Sequence, residues 1–210
     1  MSRPKALVFY QYLPPWRIDV FNEMGKYYDM TIAFTNADCE GFTYNRKELL
    51  GKLQNIKTIF LTKGMKIGKR PVRWGIFRLL NSEKPDIVFS HEYSPTSILI
   101  ALYKQLRFFH YKYFLTTSDN VQMANSVSGL KARARSYILN QSNGIIVYSD
   151  AVKDWYKKHF GRLRIEICPN IQNPQSLLAY RKEFPQRHQR YKRQFNLENK
   201  NVILYTGRLV

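Results

Sequence analysis

Short apolar runs alternate along the chain with segments of helical length. Seven runs have this character, at residues 6–13, 30–34, 58–61, 87–90, 113–116, 145–148 and 165–168. Runs of this length that are rich in β-branched and aromatic residues predict strands. Because the runs are continuously apolar and helical segments separate them, the pattern predicts a parallel sheet with both faces covered. The predicted fold class is therefore α/β, with a doubly wound parallel sheet.

The segments between the runs predict helices. Two of them place apolar residues at i, i+4, i+7 and i+8, which predicts one apolar face in each helix. The two sets are Val72, Ile76, Leu79 and Leu80, and Leu130, Ala134, Tyr137 and Ile138. A third segment, 98–106, is apolar nearly all round and predicts a buried helix.

The end of the chain has a different character. Residues 174–200 are basic and polar, with little apolar periodicity, and predict a solvated helix and linker after a first domain at 1–173. Residues 202–205 then form a new apolar run before a Gly-Arg turn. This last strand either adds to the sheet of the first domain as an edge, or opens a second, truncated domain at 201–210.

Ligands of doubly wound sheets bind beyond the carboxyl ends of the strands. The first run is followed by Trp16 and Arg17, whose planar guanidinium suits a phosphate or a carboxylate, although Arg17 is equally expected as a solvated residue in the first turn of a helix. His91 and Glu92 follow the fourth run. His91 can act as an acid-base group there or be an ordinary loop residue.

The loop after the fifth run carries Asp119 and Asn120. These side chains can orient an acceptor hydroxyl or receive its proton. They are equally expected as caps of the following helix, since Ser, Asp and Asn are preferred in that position.

Charge is the strongest compositional signal. The 210 residues contain 34 Lys and Arg against 15 Asp and Glu, a formal charge of +19, which predicts an anionic partner such as nucleic acid, anionic lipid or a phosphorylated small molecule. The two cysteines, Cys39 and Cys168, are far apart in sequence, which favours a reducing compartment and predicts no metal site. No Walker, GxGxxG, HExxH or GxSxG motif is present.

A basic cluster lies between residues 63 and 78. It interleaves cations with apolar and aromatic side chains, a composition that suits an anionic membrane interface. The residues that we expect at this surface are Lys66, Lys69, Arg70, Arg73 and Trp74. A merely solvated face is the alternative. Nucleic acid is the third option, but no nucleic-acid-binding motif supports it.

Four segments together resemble, in order and spacing, the landmarks of family 4 glycosyltransferases of the GT-B fold. They are KPDIVFSH at 84–91, NGIIVYS at 143–149, ICPN at 167–170 and VILYTGRL at 202–209. The resemblance implies two Rossmann-like domains, the first for the acceptor and the second for a nucleotide sugar. It also implies transfer with retention of configuration, and no cofactor or required metal.

The resemblance assigns roles by position. Arg208 matches the arginine that neutralises the donor diphosphate, and His91 matches the histidine at the end of the fourth strand. Many members carry His-Asp or His-Gly after the fifth strand, where this sequence has Ser118, Asp119 and Asn120. We therefore expect Asp119 and His91 as catalytic residues, and Arg17, Trp16, Glu92 and Asn120 at the acceptor.

These observations predict the acceptor-binding part of a glycosyltransferase that acts on a polysaccharide or lipid-linked sugar. The basic surface places it at the inner face of the cytoplasmic membrane, as a peripheral protein of the cytoplasm. The isolated chain is expected to lack activity, because the groups that bind the nucleotide are missing. The alternative is a non-catalytic module that binds anionic membrane or another polyanion.

Overall fold

The computed structural model describes residues 2–37, 44–67, 70–106, 110–170 and 173–203. The chain divides into two compact units, Met1–Ile171 and Gln172–Val210. The first unit contains the sheet and the second contains a long helix.

The strands of the first unit, in chain order, are β1 Lys5–Tyr10, β2 Asp29–Phe34, β3 Lys57–Phe60, β4 Gly64–Ile67, β5 Arg70–Arg73, β6 Ile87–His91, β7 Lys112–Thr116, β8 Gly144–Val147 and β9 Ile165–Ile167. Seven of them form one sheet in the order β3-β2-β1-β6-β7-β8-β9, in which every neighbouring pair is parallel. The remaining two, β4 and β5, pair with each other as an antiparallel hairpin. The prediction of a doubly wound parallel sheet is confirmed, and each of the seven predicted runs contains a strand of this sheet.

Helices flank the sheet in the first unit. They are α1 Ile18–Tyr27, α2 Arg46–Gly51, α3 Ile76–Glu83, α4 Pro95–Gln105, α5 Val121–Ser126, α6 Gly129–Gln141 and α7 Asp150–His159. The helix of the second unit is α8 Pro174–Gln194. Asparagine or serine side chains cap four of these helices by accepting a hydrogen bond from a backbone N–H of the first turn, at Asn45, Ser94, Asn120 and Asn173.

Two apolar clusters lie on the opposite faces of the sheet. Successive residues of a strand point to opposite faces, and β1 shows the consequence. Leu7 and Phe9 belong to one cluster, whereas Ala6, Val8 and Tyr10 belong to the other. All five side chains are buried, which explains why the run reads as continuously apolar in the sequence.

The predicted helix faces are only partly correct. Val72 lies in β5, because α3 begins at Ile76 after Gly75, whose φ of +91° a residue with a side chain rarely adopts. In α6, Leu130 is 81% exposed, while Arg135 is buried with Ile138. Helix periodicity counts arginine as polar and so misassigns this face.

Helix α4 is less buried than its composition predicts. Its buried side includes Thr96, Ser97 and Ile100, while Ile98 and Leu102 are exposed. The hydroxyl groups are tolerated because they find partners. Ser97 donates to the carbonyl of Glu92 at 2.6 Å.

The second unit consists of α8 and the residues that follow it. Side chains of α8 whose burial the structure describes are almost all exposed, including Leu177, Leu178 and Phe184. Residues 201–203 have no regular secondary structure. The rest of the predicted final strand, with Arg208, lies outside the described residues. No helix in the part of the chain that the structure describes is long and apolar enough to cross a membrane.

Candidate functional site

Polar and aromatic side chains gather where the strands of the sheet end. The parallel pairing places His91, the last residue of β6, beside Thr116, the last residue of β7. The loop after β1 carries Arg17, and the loop after β9 carries Asn170, whose side chain Arg17 contacts. Several of the predicted site residues therefore lie together at this carboxyl edge of the sheet.

Arg17 is buried at this edge. It closes the 3-10 turn Pro15–Arg17 that leads into α1, and its side chain is 4% exposed. Its guanidinium carbon lies 5.9 Å from the ring centre of Tyr10, 5.6 Å from that of Phe21 and 5.7 Å from that of Tyr148. Nη1 donates to Oδ1 of Asn170 at 3.3 Å, and the buried Nε donates to no described acceptor. The solvated alternative for Arg17 is therefore wrong, because three aromatic rings enclose the side chain.

His91 is stacked on the first strand. Its ring lies 4.1 Å from the ring of Tyr10 at an interplanar angle of 12°. Nδ1 is 3.0 Å from Oγ1 of Thr116, and Nε2 is 3.4 Å from Oε1 of Glu92. Burial and the positive charge of Arg17 lower the pKa of His91 to about 3. The imidazole is therefore neutral at physiological pH, and it is a weak base.

Glu92 fixes the neighbouring loop. Its φ of +62° is in the left-handed region, which is uncommon for a residue other than glycine. Its carboxylate accepts hydrogen bonds from the backbone N–H of Ser118 at 2.8 Å, from the hydroxyl of Ser118, and from the hydroxyl of Thr117 at 3.2 Å. Glu92 thus holds the loop that carries Asp119, a use that the sequence did not indicate.

Asp119 ends a chain of phenolic hydroxyls. Tyr156 donates to its Oδ2 at 3.2 Å, and the hydroxyl of Tyr93 lies 2.6 Å from that of Tyr156. Burial, followed by the negative charge of Glu92, raises the pKa of Asp119, while the Tyr156 hydrogen bond and the charge of Arg135 act in the opposite direction. Burial raises the pKa of Tyr156 as well, so this phenol stays protonated and acts as a donor.

Arg135 lies close enough to these groups for its charge to act on them. It is buried, donates from Nη1 to the carbonyl of Ala124 at 2.8 Å, and lies over the ring of Trp155 with its guanidinium carbon 4.9 Å from the ring centre. Its positive charge acts on the pKa values of Tyr93, Asp119 and Tyr156. The sequence did not indicate Tyr156 and Arg135, since neither of them lies in a recognisable motif with Asp119.

The other two residues that we predicted at the acceptor are Asn120 and Trp16. The side-chain oxygen of Asn120 caps α5 by accepting from the N–H of Met123 at 2.8 Å, so the capping alternative is correct for this residue. Trp16 is 41% exposed, and its ring meets that of Tyr44 edge to face at 6.4 Å. Within the described residues, neither side chain forms a hydrogen bond or ring contact with Asp119 or His91.

The predicted membrane residues lie on and beside the β4–β5 hairpin, an element that the sequence did not predict. Lys66 is exposed, and Trp74, directly after β5, is 65% exposed. Arg73 instead donates to the carbonyls of Thr35 and Thr62 and to Oδ1 of Asn36. Its guanidinium therefore fastens the hairpin to the loop after β2, in contrast to the exposed role that we predicted. Lys69 and the side chain of Arg70 lie outside the described residues.

Metal ligands are not grouped at this edge. Within the described residues, no cluster of three or more His, Cys, Asp or Glu side chains could hold a metal ion.

Comparison with known proteins identifies the family. The sequence model of Glycosyltransferase Family 4 matches residues 29–175, which is more than half of the chain. No curated protein sequence matches the chain.

Two solved structures resemble the chain. The structure of Anabaena Alr3699/HepE in complex with UDP and glucose has a TM-score of 0.56 and 11% identity, over 87% of this chain and 50% of that protein. A putative UDP-N-acetylglucosamine 2-epimerase from Listeria monocytogenes has a TM-score of 0.49 and 13% identity, over 76% of this chain and 42% of that protein. The chain thus spans about half the length of these proteins.

The likeness to the HepE structure shows the fold. The family match extends completely over six of the seven strands of the sheet, all except β1. Together with the parallel sheet, both support a GT-B glycosyltransferase-like fold. The chain belongs to Glycosyltransferase Family 4.

Proposed function

We propose that this chain is the acceptor-binding part of a retaining glycosyltransferase, which moves a sugar from a nucleotide-sugar donor to a polysaccharide or lipid-linked acceptor. The observation that carries the proposal is the family match over a sheet whose carboxyl edge holds Arg17, His91 and Asp119. The HepE structure contains UDP and glucose, which supports a nucleotide sugar as donor. No cofactor enters the proposed reaction.

Asp119 is the better of the two candidates for handling the acceptor hydroxyl. A general base works best when its pKa is near the operating pH. The pKa of His91 is about 3, far below that range, whereas burial shifts the pKa of Asp119 upward from its usual value. His91 contacts Thr116 and Glu92 and stacks on Tyr10, so its role in the proposal is to shape the site.

The donor diphosphate requires positively charged partners. Charge accumulates on the departing nucleoside diphosphate, and preorganised cations stabilise it. By resemblance Arg208 has this role, and it lies outside the described residues. In the proposal, residues 1–173 bind the acceptor, 174–200 form a linker, and 201–210 belong to a donor-binding domain.

A transfer assay and a binding assay test the two parts of the proposal. Incubation of the purified chain with radiolabelled nucleotide sugars and lipid-linked or polysaccharide acceptors is expected to give no steady transfer, and turnover would refute the inactivity of the chain alone. Saturation-transfer NMR with acceptor oligosaccharides is expected to show binding that Asp119→Asn weakens. Lys158→Gln on α7, an exposed position, is the matched control. Absence of any saccharide binding would overturn the acceptor role.

Attachment to an anionic membrane surface is the second part of the proposed function, at the inner face of the cytoplasmic membrane. It is supported by the exposure of Met65, 54%, and Trp74, 65%, on either side of Lys66 in the hairpin region. Aromatic and apolar groups enter the interfacial region of a bilayer while nearby cations meet anionic headgroups. A membrane-bound module without catalysis uses the same surface and remains the alternative.

Co-sedimentation with vesicles tests the membrane role. Vesicles containing anionic lipid are expected to bind the chain and neutral vesicles are not, and added salt should weaken the binding. Trp74→Ser should reduce the bound fraction, while Trp16→Ser, which changes an exposed tryptophan near the candidate site, should not. Equal binding to neutral and anionic vesicles would argue against the proposed surface.

A further inference from the structure

The buried guanidinium of Arg17 has no anionic partner among the described residues. No described carboxylate forms an ion pair with it, and its Nε donates to no described acceptor, although the side chain is only 4% exposed. A buried charge that lacks a partner is strongly unfavourable, so such groups are normally paired or hydrogen-bonded in full. Arg17 is therefore an exception that requires an explanation.

Two other buried or half-buried arginines in the described part of the first unit, Arg73 and Arg135, have partners that Arg17 lacks. Arg73 makes three hydrogen bonds to Thr35, Thr62 and Asn36. Arg135 donates to a backbone carbonyl at 2.8 Å, and its Nε, like that of Arg17, has no described acceptor, but the carboxylate of Asp119 lies close enough to interact with its charge. The guanidinium of Arg17 makes one described hydrogen bond, to a neutral amide oxygen at 3.3 Å, which is slightly longer than the usual range for such bonds.

The nearest charged and titratable neighbours do not neutralise Arg17. His91 is neutral, and the positive charge of Arg17 helps to keep it so. The carboxylate of Glu92 is already bound to Ser118 and Thr117. Tyr10 is also protonated, because burial raises its pKa. These three neighbours therefore leave the positive charge of Arg17 without a neutralising partner.

Aromatic rings keep this charge in a defined place. The faces of Tyr10, Phe21 and Tyr148 surround the guanidinium at 5.6 to 5.9 Å, which stabilises a cation without consuming its N–H donors. The N–H groups of the guanidinium therefore remain able to donate to a ligand. Asn170, which accepts the hydrogen bond of Arg17, is exposed and lies in the loop after β9, so a ligand can take its place by displacing one side chain.

We propose that Arg17 is an oxyanion-binding residue of the acceptor site, and that the acceptor carries a phosphate or a carboxylate group that replaces Asn170 as the partner of the guanidinium. The proposal rests on the proposed function and gives it a substrate class, a sugar acid or a sugar phosphate. A guanidinium offers two parallel N–H donors, which match both kinds of oxyanion. The two parallel pairs are Nε with Nη2 and Nη1 with Nη2. The Nε of Arg17 has no described acceptor and Nη1 contacts only Asn170 among the described residues, so displacement of Asn170 leaves either pair to donate to two oxygens of one such group.

NMR of the chain labelled at the arginine Nε tests the proposal at the residue itself. The Nε–H signal of Arg17, identified by its loss in Arg17→Met, is expected to shift when glucose 1-phosphate or glucuronate is added, and not with glucose. The acid that binds identifies phosphate or carboxylate as the recognised group. Arg17→Met keeps the apolar volume of the stem and removes the charge, so it is expected to fold.

Asn170→Asp supplies a second test that does not disturb the buried side chain. The new carboxylate has the shape of the amide and pairs with Arg17, so it should compete with the ligand and weaken sugar-acid binding by about tenfold or more. Asn170→Ala removes the internal acceptor without adding charge, and should leave binding unchanged or stronger. Equal affinity in Asn170→Asp and the unmodified chain would overturn the proposal.

Addition of UDP distinguishes the acceptor from the donor as the source of the anion. A shift of the Arg17 signal with UDP and with neither sugar acid would overturn the acceptor assignment, and no shift with any anion would overturn the site itself. These readouts do not depend on turnover. A failed transfer assay with intact sugar-acid binding would therefore count against the proposed function alone.

Discussion

Lowering the pH tests the burial of His91, because the folded chain resists protonation of this side chain. The stack on Tyr10, the contact with Glu92 and the nearby charge of Arg17 define its surroundings. Burial is the main cause of its lowered pKa, and the charge of Arg17 is the second. Burial and the charge of Arg17 favour the neutral imidazole over the protonated one, and they act only in the folded state.

The size of the effect follows from the difference between the folded and the unfolded pKa. The folded value is about 3, and the unfolded value is about 6.5. The contribution of His91 to stability is fully present above pH 6.5 and is lost as the pH falls toward 3. Each pH unit in this window removes about 1.4 kcal/mol, which gives about 2 kcal/mol between pH 7.5 and 5. This is a large share of the total stability of an ordinary domain.

Urea unfolding followed by tryptophan fluorescence measures this loss. The free energy of unfolding of the unmodified chain should fall with pH more steeply than that of His91→Gln, by about 2 kcal/mol between pH 7.5 and 5. Nearby carboxylates titrate in both chains and largely cancel in the difference. His188→Gln, an exposed position on α8, is the matched control and should follow the unmodified chain. Parallel pH dependences for His91→Gln and the unmodified chain would refute the reasoning.

Three further substitutions test other parts of the structure by the same unfolding measurement or by hydrogen exchange. Arg73→Met should lower the free energy of unfolding by about 2 kcal/mol, since three hydrogen bonds from a partly exposed side chain are lost. A change within error would show that the guanidinium does not hold the hairpin. Asp119→Asn should stabilise the chain at pH 7 and not below the unfolded pKa of about 3.9, because a raised folded pKa makes the ionised form unfavourable to folding. Equal stabilisation at both pH values would contradict this sign. Gly64→Ala should speed hydrogen exchange in the hairpin, because the added Cβ would lie 2.1 Å from the carbonyl oxygen of Val72. Unchanged exchange would mean that the strands pair more loosely than described.

The sheet could be predicted because its strands are buried on both faces. A continuous apolar run is the sequence pattern of such a strand, and all seven runs contain one. The hairpin of β4 and β5 lacks this pattern. Its strands pair only with each other, and cations such as Lys66 alternate with apolar residues, so the sequence indicated a charged surface and no strands. The face of α6 was misassigned because a buried cation, Arg135, lies over an aromatic ring.

The candidate site could be predicted in part from topology alone. Residues directly after strands, such as Arg17 and His91, were selected because parallel strands end at the same edge. The partners that determine their properties could not be found in this way. Tyr10 is an ordinary strand residue in the sequence, and Tyr156 lies 37 positions after the Asp119 carboxylate to which it donates. Such pairs are formed by tertiary packing, which periodicity and spacing do not report.

The backbone of Glu92 provides an independent reason to regard this edge as functional. Another residue with positive φ, Lys84, ends α3, where a left-handed conformation is common. Glu92 adopts its φ of +62° directly after a buried strand, which costs about 1–2 kcal/mol for a residue with a side chain. The same edge holds a buried cation without an anion, Arg17, and a carboxylate whose pKa burial raises, Asp119. Each of these features opposes folding, and sequences that fold well avoid such conflicts except where a function requires them. Their concentration at the carboxyl edge is the pattern expected of a binding and reaction site, and it is independent of the family match.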